Sequence, residues 1–380
     1  MAWMIDRAQL DAEQNNIIDL ISKLESKSYW IRGVAGTGKT VLICYLLHDF
    51  ISKNNLKCCC ISYTLTLKDM IETGVDSIGG ACKVFTKQGL KKNTEDFNVI
   101  FCDEVQDMTK PDLEYLKSRC EYLIVSGDIN QSIYEDDTDN IPTISSSEEL
   151  IDIISPIVHQ LNVVYRSPQT ILDMVSRVFP DMFRDIPSYS PNIKPEIIEY
   201  HNNTDFYEKI TSRVEKHIFA DQSVAIIGNT HEDLKVIGKM FASYHDIKID
   251  WDKKDSWRKP DWEYFNDCFE KQLDFNDLKI AYNVNNVVGV KQKAAEGKAM
   301  VLTYHGSKGL DFDNVFLTGC HKKFSNRQNR TNQLYLVGLT RATDNLYFFS
   351  EGKMNSEILN FFSSDSYKEE NEIQDYNLPF

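Results

Sequence analysis

No stretch of this sequence approaches the ~20 consecutive apolar residues that a membrane-spanning helix requires. Its opening, MAWMIDRAQLDAEQ, also lacks the charged-then-apolar pattern of a secretory signal, so a cytoplasmic chain with no membrane partner is expected. Paired CxxC spacing is missing as well. The nine cysteines are an odd count, and Cys58, Cys59 and Cys60 stand together in an apolar run of strand length. Reduced cytosolic thiols fit that pattern better than a metal site. There is no short-period repeat and no low-complexity tract, which excludes solenoid and fibrous architectures. A positive charge balance is lacking too: the formal net charge is −15. That excludes a surface coated in Lys and Arg, but not a nucleic-acid protein that gathers its basic residues in one groove. The acidic surplus is partly local, in 135–139 and again in 365–375.

What is present is an ordinary globular composition, 42% hydrophobic and 26% charged, in 380 residues, enough for two domains with modest insertions. The recurring unit is strand, loop, helix. Tyr29–Arg32, Lys57–Tyr63, Val99–Asp103 and Tyr122–Ser126 are apolar runs that end in polar residues, the pattern of a parallel sheet with function at the carboxyl ends of its strands. A second series starts at Val224 and continues through Met300, Asn314 and Asn345, after a polar stretch near 140–160. The expected division is a first α/β domain at 1–150 and a second at 151–355 with a small insert at about 250–298. An acidic C-terminal tail is expected at 356–380.

Gly33-Val-Ala-Gly-Thr-Gly-Lys-Thr40 matches GxxxxGK[ST] between an apolar strand and an amphipathic helix. Gly33, Gly36 and Gly38 let backbone N–H groups wrap phosphates at a helix N-terminus, Lys39 reaches the β- and γ-phosphates, and Thr40 ligates Mg²⁺. Downstream, Asn98–Phe101 lead into Asp103 and Glu104. Adjacent carboxylates at a strand exit suit hydrolysis, one holding Mg²⁺ and the other deprotonating the attacking water. Asp103 takes the first role and Glu104 the second, so ATP and Mg²⁺ are the expected cofactors.

These and later segments resemble, in order, the motifs of the UvrD/Rep branch of superfamily 1 helicases. DEVQD at 103–107 looks like the Walker B box, GDINQSIY at 127–134 like motif III, and LNVVYRSPQTIL at 161–172 like motif IV. TYHGSKGLDFDNVFL at 303–317 is similar to motif V and LYLVGLTRA at 334–342 to motif VI; LDAEQ at 10–14 resembles the Q motif and 62–71 motif Ia. The resemblance implies two RecA-like P-loop NTPase domains in tandem, each a mainly parallel sheet flanked by helices, with ATP in the cleft between them. It implies that Gln14 reads the adenine edge, Tyr165 stacks on the adenine face, and Gly309 and Asp311 lie on the nucleotide, Asp311 near the ribose. Gln131 then contacts the γ-phosphate, and Arg166 and Arg341, both assigned to the second domain, stabilise its developing charge. Thr64, Phe85, His305 and Ser307 fall where the family touches the nucleic-acid strand.

The nucleic-acid side of the resemblance departs from the pattern. Glu135-Asp136-Asp137 stands where the family supplies an aromatic-Arg-Gly stretch, and motifs Ia and Ib differ from the usual residues. His321, Lys322, Lys323, Arg327 and Arg330 form either a phosphate track or a solvated loop. Trp251, Trp257 and Trp262, among Lys and Arg, form either a base-stacking surface or the core of a small subdomain. Two readings follow. One is an ATP-dependent translocase or helicase on single-stranded nucleic acid, DNA in preference to RNA, moving 3′ to 5′. The other is a nucleotide-gated ATPase switch that drives a protein partner such as a nuclease.

Overall fold

The computed structural model describes residues 4–134, 140–183, 186–244, 279–282, 290–323, 331–363 and 367–369. The tryptophan-bearing part of the expected insert, 250–278, its 283–289 and the acidic cluster at 135–139 lie outside them, while 280–282 of that insert pairs with the second sheet. The chain forms two compact units, Met1–Arg166 with Asp185–Tyr189, and Ser167–Arg184 with Ser190–Phe380.

The first unit holds strands β1 (Ser28–Arg32), β2 (Cys58–Ser62), β3 (Lys83–Thr86), β4 (Phe97–Cys102), β5 (Cys120–Gly127) and β6 (Ile157–Gln160). They pair in the order β3-β2-β4-β5-β1-β6, every pair parallel. Strands covered on both faces must be apolar on both, and the central strands β2, β4, β5 and β1 largely are. Tyr29 and Ile31 of β1 pack with helices Ala12–Ile21 and Lys39–Ser52, while Trp30 between them packs toward helices Lys110–Ser118 and Ser147–Ile154. The cysteine run in β2 alternates in the same way, Cys58 and Cys60 to one face and Cys59 to the other. Burial pushes the Cys58 thiol up to about 12, so these are packing residues rather than reactive thiols.

The second unit carries β7 (Glu196–Tyr200), β8 (Val224–Gly228), β9 (Ile280–Tyr282), β10 (Ala299–Thr303), β11 (Phe312–Leu317), β12 (Ala342–Glu351) and β13 (Lys368–Glu369). Their order is β13-β7-β12-β11-β8-β10-β9, again parallel throughout. Helices Asn203–Phe219 and His231–Tyr244 cover one face through Phe206, Ile210, Leu234 and Ile237. The two mainly parallel α/β sheets expected from the sequence are both present.

Two boundaries need correction. The first unit does not end at 150, because Ile157–Gln160 pairs with β1, and 161–166 continues along the glycine loop. Residues 356–380 are not simply a tail: Ile358 and Phe361 are fully buried, and Lys368–Glu369 pairs with β7. Charge composition hid a short apolar run there that the core uses. Packing in this unit is close enough to predict a consequence. A methyl at Gly338, in helix Thr331–Leu339, would lie 2.4 Å from Cε1 of the buried Tyr304 ring. Gly338→Ala should destabilise the unit by about 1–3 kcal/mol, seen as a lower denaturant midpoint.

Candidate nucleotide site

Because β4, β5 and β1 are neighbours, their carboxyl ends meet: Cys102 lies across from Val125, and Arg32 across from Gly127. The loop after β1 turns through Gly36 and Gly38 at φ 82° and 89°. Left-handed backbone of this kind is open to glycine at little cost. Space is short there too, since a Cβ at Gly36 would come 3.1 Å from Arg166 Cβ, and one at Gly38 would come 2.7 Å from Gln14 Nε2. Lys39, 8% exposed, donates from Nζ to the Gly33 carbonyl at 2.8 Å and the Val34 carbonyl at 3.1 Å. Burial pushes its pKa down, opposed by the charges of Glu104, Asp128 and Asp103, while nearby Arg166 pushes it down further.

Asp103 leaves β4 fully buried. Its Oδ2 accepts from Thr40 Oγ1 at 2.8 Å, and its Oδ1 accepts from the Ser126 hydroxyl and, at 3.1 Å, from Glu104 N–H. Burial, then the neighbouring Glu104 charge, raise its pKa against those hydrogen bonds. Glu104 sits at φ 57°, an unusual conformation for a side-chain-bearing residue, and its carboxylate accepts from Gln106 Nε2. Gln131 is buried, its amide donating to Asp128 Oδ2 at 3.0 Å. Asp128 also accepts from Asn130 N–H at 3.1 Å; burial raises its pKa and the Lys39 charge lowers it.

Gln14 is 2% exposed. Its side chain accepts from Asp11 N–H at 3.2 Å in a capping box and donates to the Thr37 carbonyl at 3.2 Å. Tyr165 N–H donates to the Gly36 carbonyl at 3.0 Å and its phenol to the Asp11 carboxylate. Tyr165 and Arg166 therefore belong to the first unit, beside the glycine loop. The expectation that Arg166 sits on the second domain is corrected, because the chain does not leave the first unit until after it.

In the second unit, motif V starts at the last residue of β10 and motif VI carries Arg341. Arg341 is 3% exposed, donating from Nε to the Val337 carbonyl at 2.8 Å and from Nη1 to the Leu310 carbonyl at 2.9 Å. Motifs V and VI are thus tied together through its guanidinium. Gly309 takes φ 79°, and Asp311 and His305 are half-buried. Ser307 is fully buried, its hydroxyl donating to the Tyr304 carbonyl at 2.9 Å. Thr64 in the first unit uses its hydroxyl to cap helix Leu65–Ser77, accepting from Leu67 N–H at 3.1 Å. The Phe85 ring is 6.2 Å from that of Phe97. In the expected basic track, Lys322 pairs with Asp233, and His321 Nδ1 accepts from Glu351 N–H at 2.9 Å; 324–330 lie outside the described residues.

The family model of the viral superfamily 1 RNA helicase core domain matches residues 30–226, more than half of the chain. The chain belongs to the superfamily 1 helicases. The UvrD-like helicase C-terminal domain model matches 267–352. Solved structures with a similar fold include the PRRSV helicase, 16% identical with a TM-score of 0.46, covering 88% of this chain and 54% of that one. The Arterivirus nonstructural protein 10 helicase is 14% identical with a TM-score of 0.47, covering 92% and 63%. The C-terminal domain of a possible DNA helicase from Lactobacillus plantarum is 14% identical with a TM-score of 0.33, covering 54% and 98%. This chain therefore spans between about half and two-thirds of the first two. Among curated protein sequences there is no significant match.

The residues of this helicase suit Mg²⁺ and a nucleoside triphosphate. Mg²⁺ on phosphates needs few protein ligands and keeps several waters. A hydroxyl and a carboxylate already in contact, Thr40 and Asp103, are such a pair. The glycine turns with a buried lysine directly after them have the form that a phosphate cradle needs. One participant was missed in the sequence: Asp128, inside a motif already noted, orients Gln131 and adds a third carboxylate around Lys39.

Proposed function

We propose that this helicase hydrolyses ATP to move along single-stranded nucleic acid. The observation that carries this reading is the gathering of Lys39, Thr40, Asp103, Glu104 and the Asp128–Gln131 pair on one edge of one sheet, at the carboxyl ends of β1, β4 and β5. Bound Mg²⁺ would neutralise phosphate charge. Lys39 exchanges its loop carbonyls for the β- and γ-phosphates, and Glu104 accepts the proton of the attacking water. Gln131, held by Asp128, meets the γ-phosphate, and Gln14 and Tyr165 hold the base. Arg166 and, by family resemblance alone, Arg341 stabilise the charge of the transferring phosphoryl group.

For the strand contacts the proposed residues are Thr64, Phe85, Ser307 and the half-buried His305, by family resemblance. Single-stranded DNA and 3′-to-5′ movement are proposed from the UvrD/Rep-like motifs, with RNA, the polymer in the description of the model matching 30–226, as the alternative to be tested. The test is phosphate release by the purified chain with Mg-ATP, alone and with single-stranded DNA, single-stranded RNA or blunt duplex. A severalfold stimulation by single-stranded DNA is expected. Rates unchanged by any polymer would refute the motor reading, and stimulation by RNA alone would refute the choice of DNA. Displacement of streptavidin from the 5′ but not the 3′ end of a biotinylated strand would establish the direction.

A further inference from the structure

Resting on the nucleotide reading above, we propose that Tyr189 is a second aromatic wall of the nucleobase site, closing on the purine across from Tyr165. Tyr189 lies in the short segment that returns to the first unit after the chain has left it. That return is fixed by the backbone: Val164 N–H donates to the Pro187 carbonyl at 3.1 Å and Tyr189 N–H to the Val164 carbonyl at 3.0 Å. The two tyrosine rings are stacked, centroids 5.7 Å apart and planes 30° from parallel.

The two rings differ in how they are held. Tyr165 is pinned to the glycine loop through the Gly36 carbonyl and to the base-facing Q motif through Asp11, whose capping box also orients Gln14. Tyr189 is 72% exposed. An aromatic ring left mostly in water with one ring face covered contributes little to the core. Turning it outward costs correspondingly little, and a flat purine entering between the rings covers apolar surface on both. Stacking of this kind is tolerant of base identity. Discrimination among bases would then fall to the polar edge contacts of Gln14, while Tyr189 contributes affinity.

The experiment is steady-state hydrolysis by the full chain and its Tyr189→Ala and Tyr189→Phe variants, with inorganic tripolyphosphate as a competitor that has no base. Losing one stacking partner should raise KM for ATP about 10-fold, with the effect in KM rather than kcat. The inhibition constant of tripolyphosphate should stay as in wild type, and Tyr189→Phe, which keeps the ring, should restore KM. An unchanged KM in Tyr189→Ala overturns the proposal, as does a parallel loss of tripolyphosphate binding, which would mean a disturbed phosphate loop. A wild-type chain that neither hydrolyses ATP nor binds tripolyphosphate would instead overturn the nucleotide reading beneath it.

Discussion

Lys39→Ala is expected to lower ATP turnover by a factor of about 100 or more while leaving the chain folded. Three carboxylates, those of Glu104, Asp128 and Asp103, act on the Lys39 ammonium. Without it the phosphates of ATP would meet that acidic group with one compensating charge fewer beside them, so binding should weaken together with chemistry. The resting contacts to the Gly33 and Val34 carbonyls are also lost. A modest fall in melting temperature should accompany the change. Phosphate release at saturating ATP, alongside a thermal melt, checks both. Turnover within tenfold of wild type in a folded variant would remove Lys39 from the phosphates.

The parts of this site that could be read from the sequence are those whose chemistry is local. GxxxxGKT and the Asp-Glu pair each follow a strand buried on both faces, and such strands are unbroken apolar runs. Strands β3, β6 and β7 were not read, for a physical reason. Lys83 of β3 and three of the four residues of β6 are exposed, and β7 brackets a pair of isoleucines with Glu196 and Glu199, so none shows the apolar run expected of a covered strand. Missing β6 placed the domain boundary about fifteen residues early and moved Arg166 to the wrong unit. Asp128 lay within a recognised motif, but its hold on Gln131 depends on burial, which spacing does not report. Tyr189 carries no local signal at all; only the pairing of Val164 with 187–189 brings it to Tyr165.

Glu104→Gln should separate binding from chemistry. The substitution keeps shape and hydrogen-bonding capacity, so the donation from Gln106 has an acceptor in either residue. It removes the group proposed to take the proton from water, which typically costs a factor of 10²–10⁴ in rate. Affinity should move the other way. Glu104 is a negative charge near Lys39 and Asp103, and its charge raises the pKa of both. Neutralising it makes Asp103 easier to ionise and removes one repulsion felt by the incoming phosphates. ATP should therefore bind as tightly as to wild type or more tightly, in a complex that turns over slowly. Glu104→Ala is the control for shape: it strands the Gln106 amide and reopens the choice of backbone at a residue held at φ 57°. Its loss of turnover should come with lower stability, whereas the Gln variant should melt like wild type. Equilibrium binding of ATP, single-turnover hydrolysis and melting on both variants decide it. Weaker ATP binding with normal turnover at saturation in Glu104→Gln would mean that the carboxylate holds substrate and that another group activates the water.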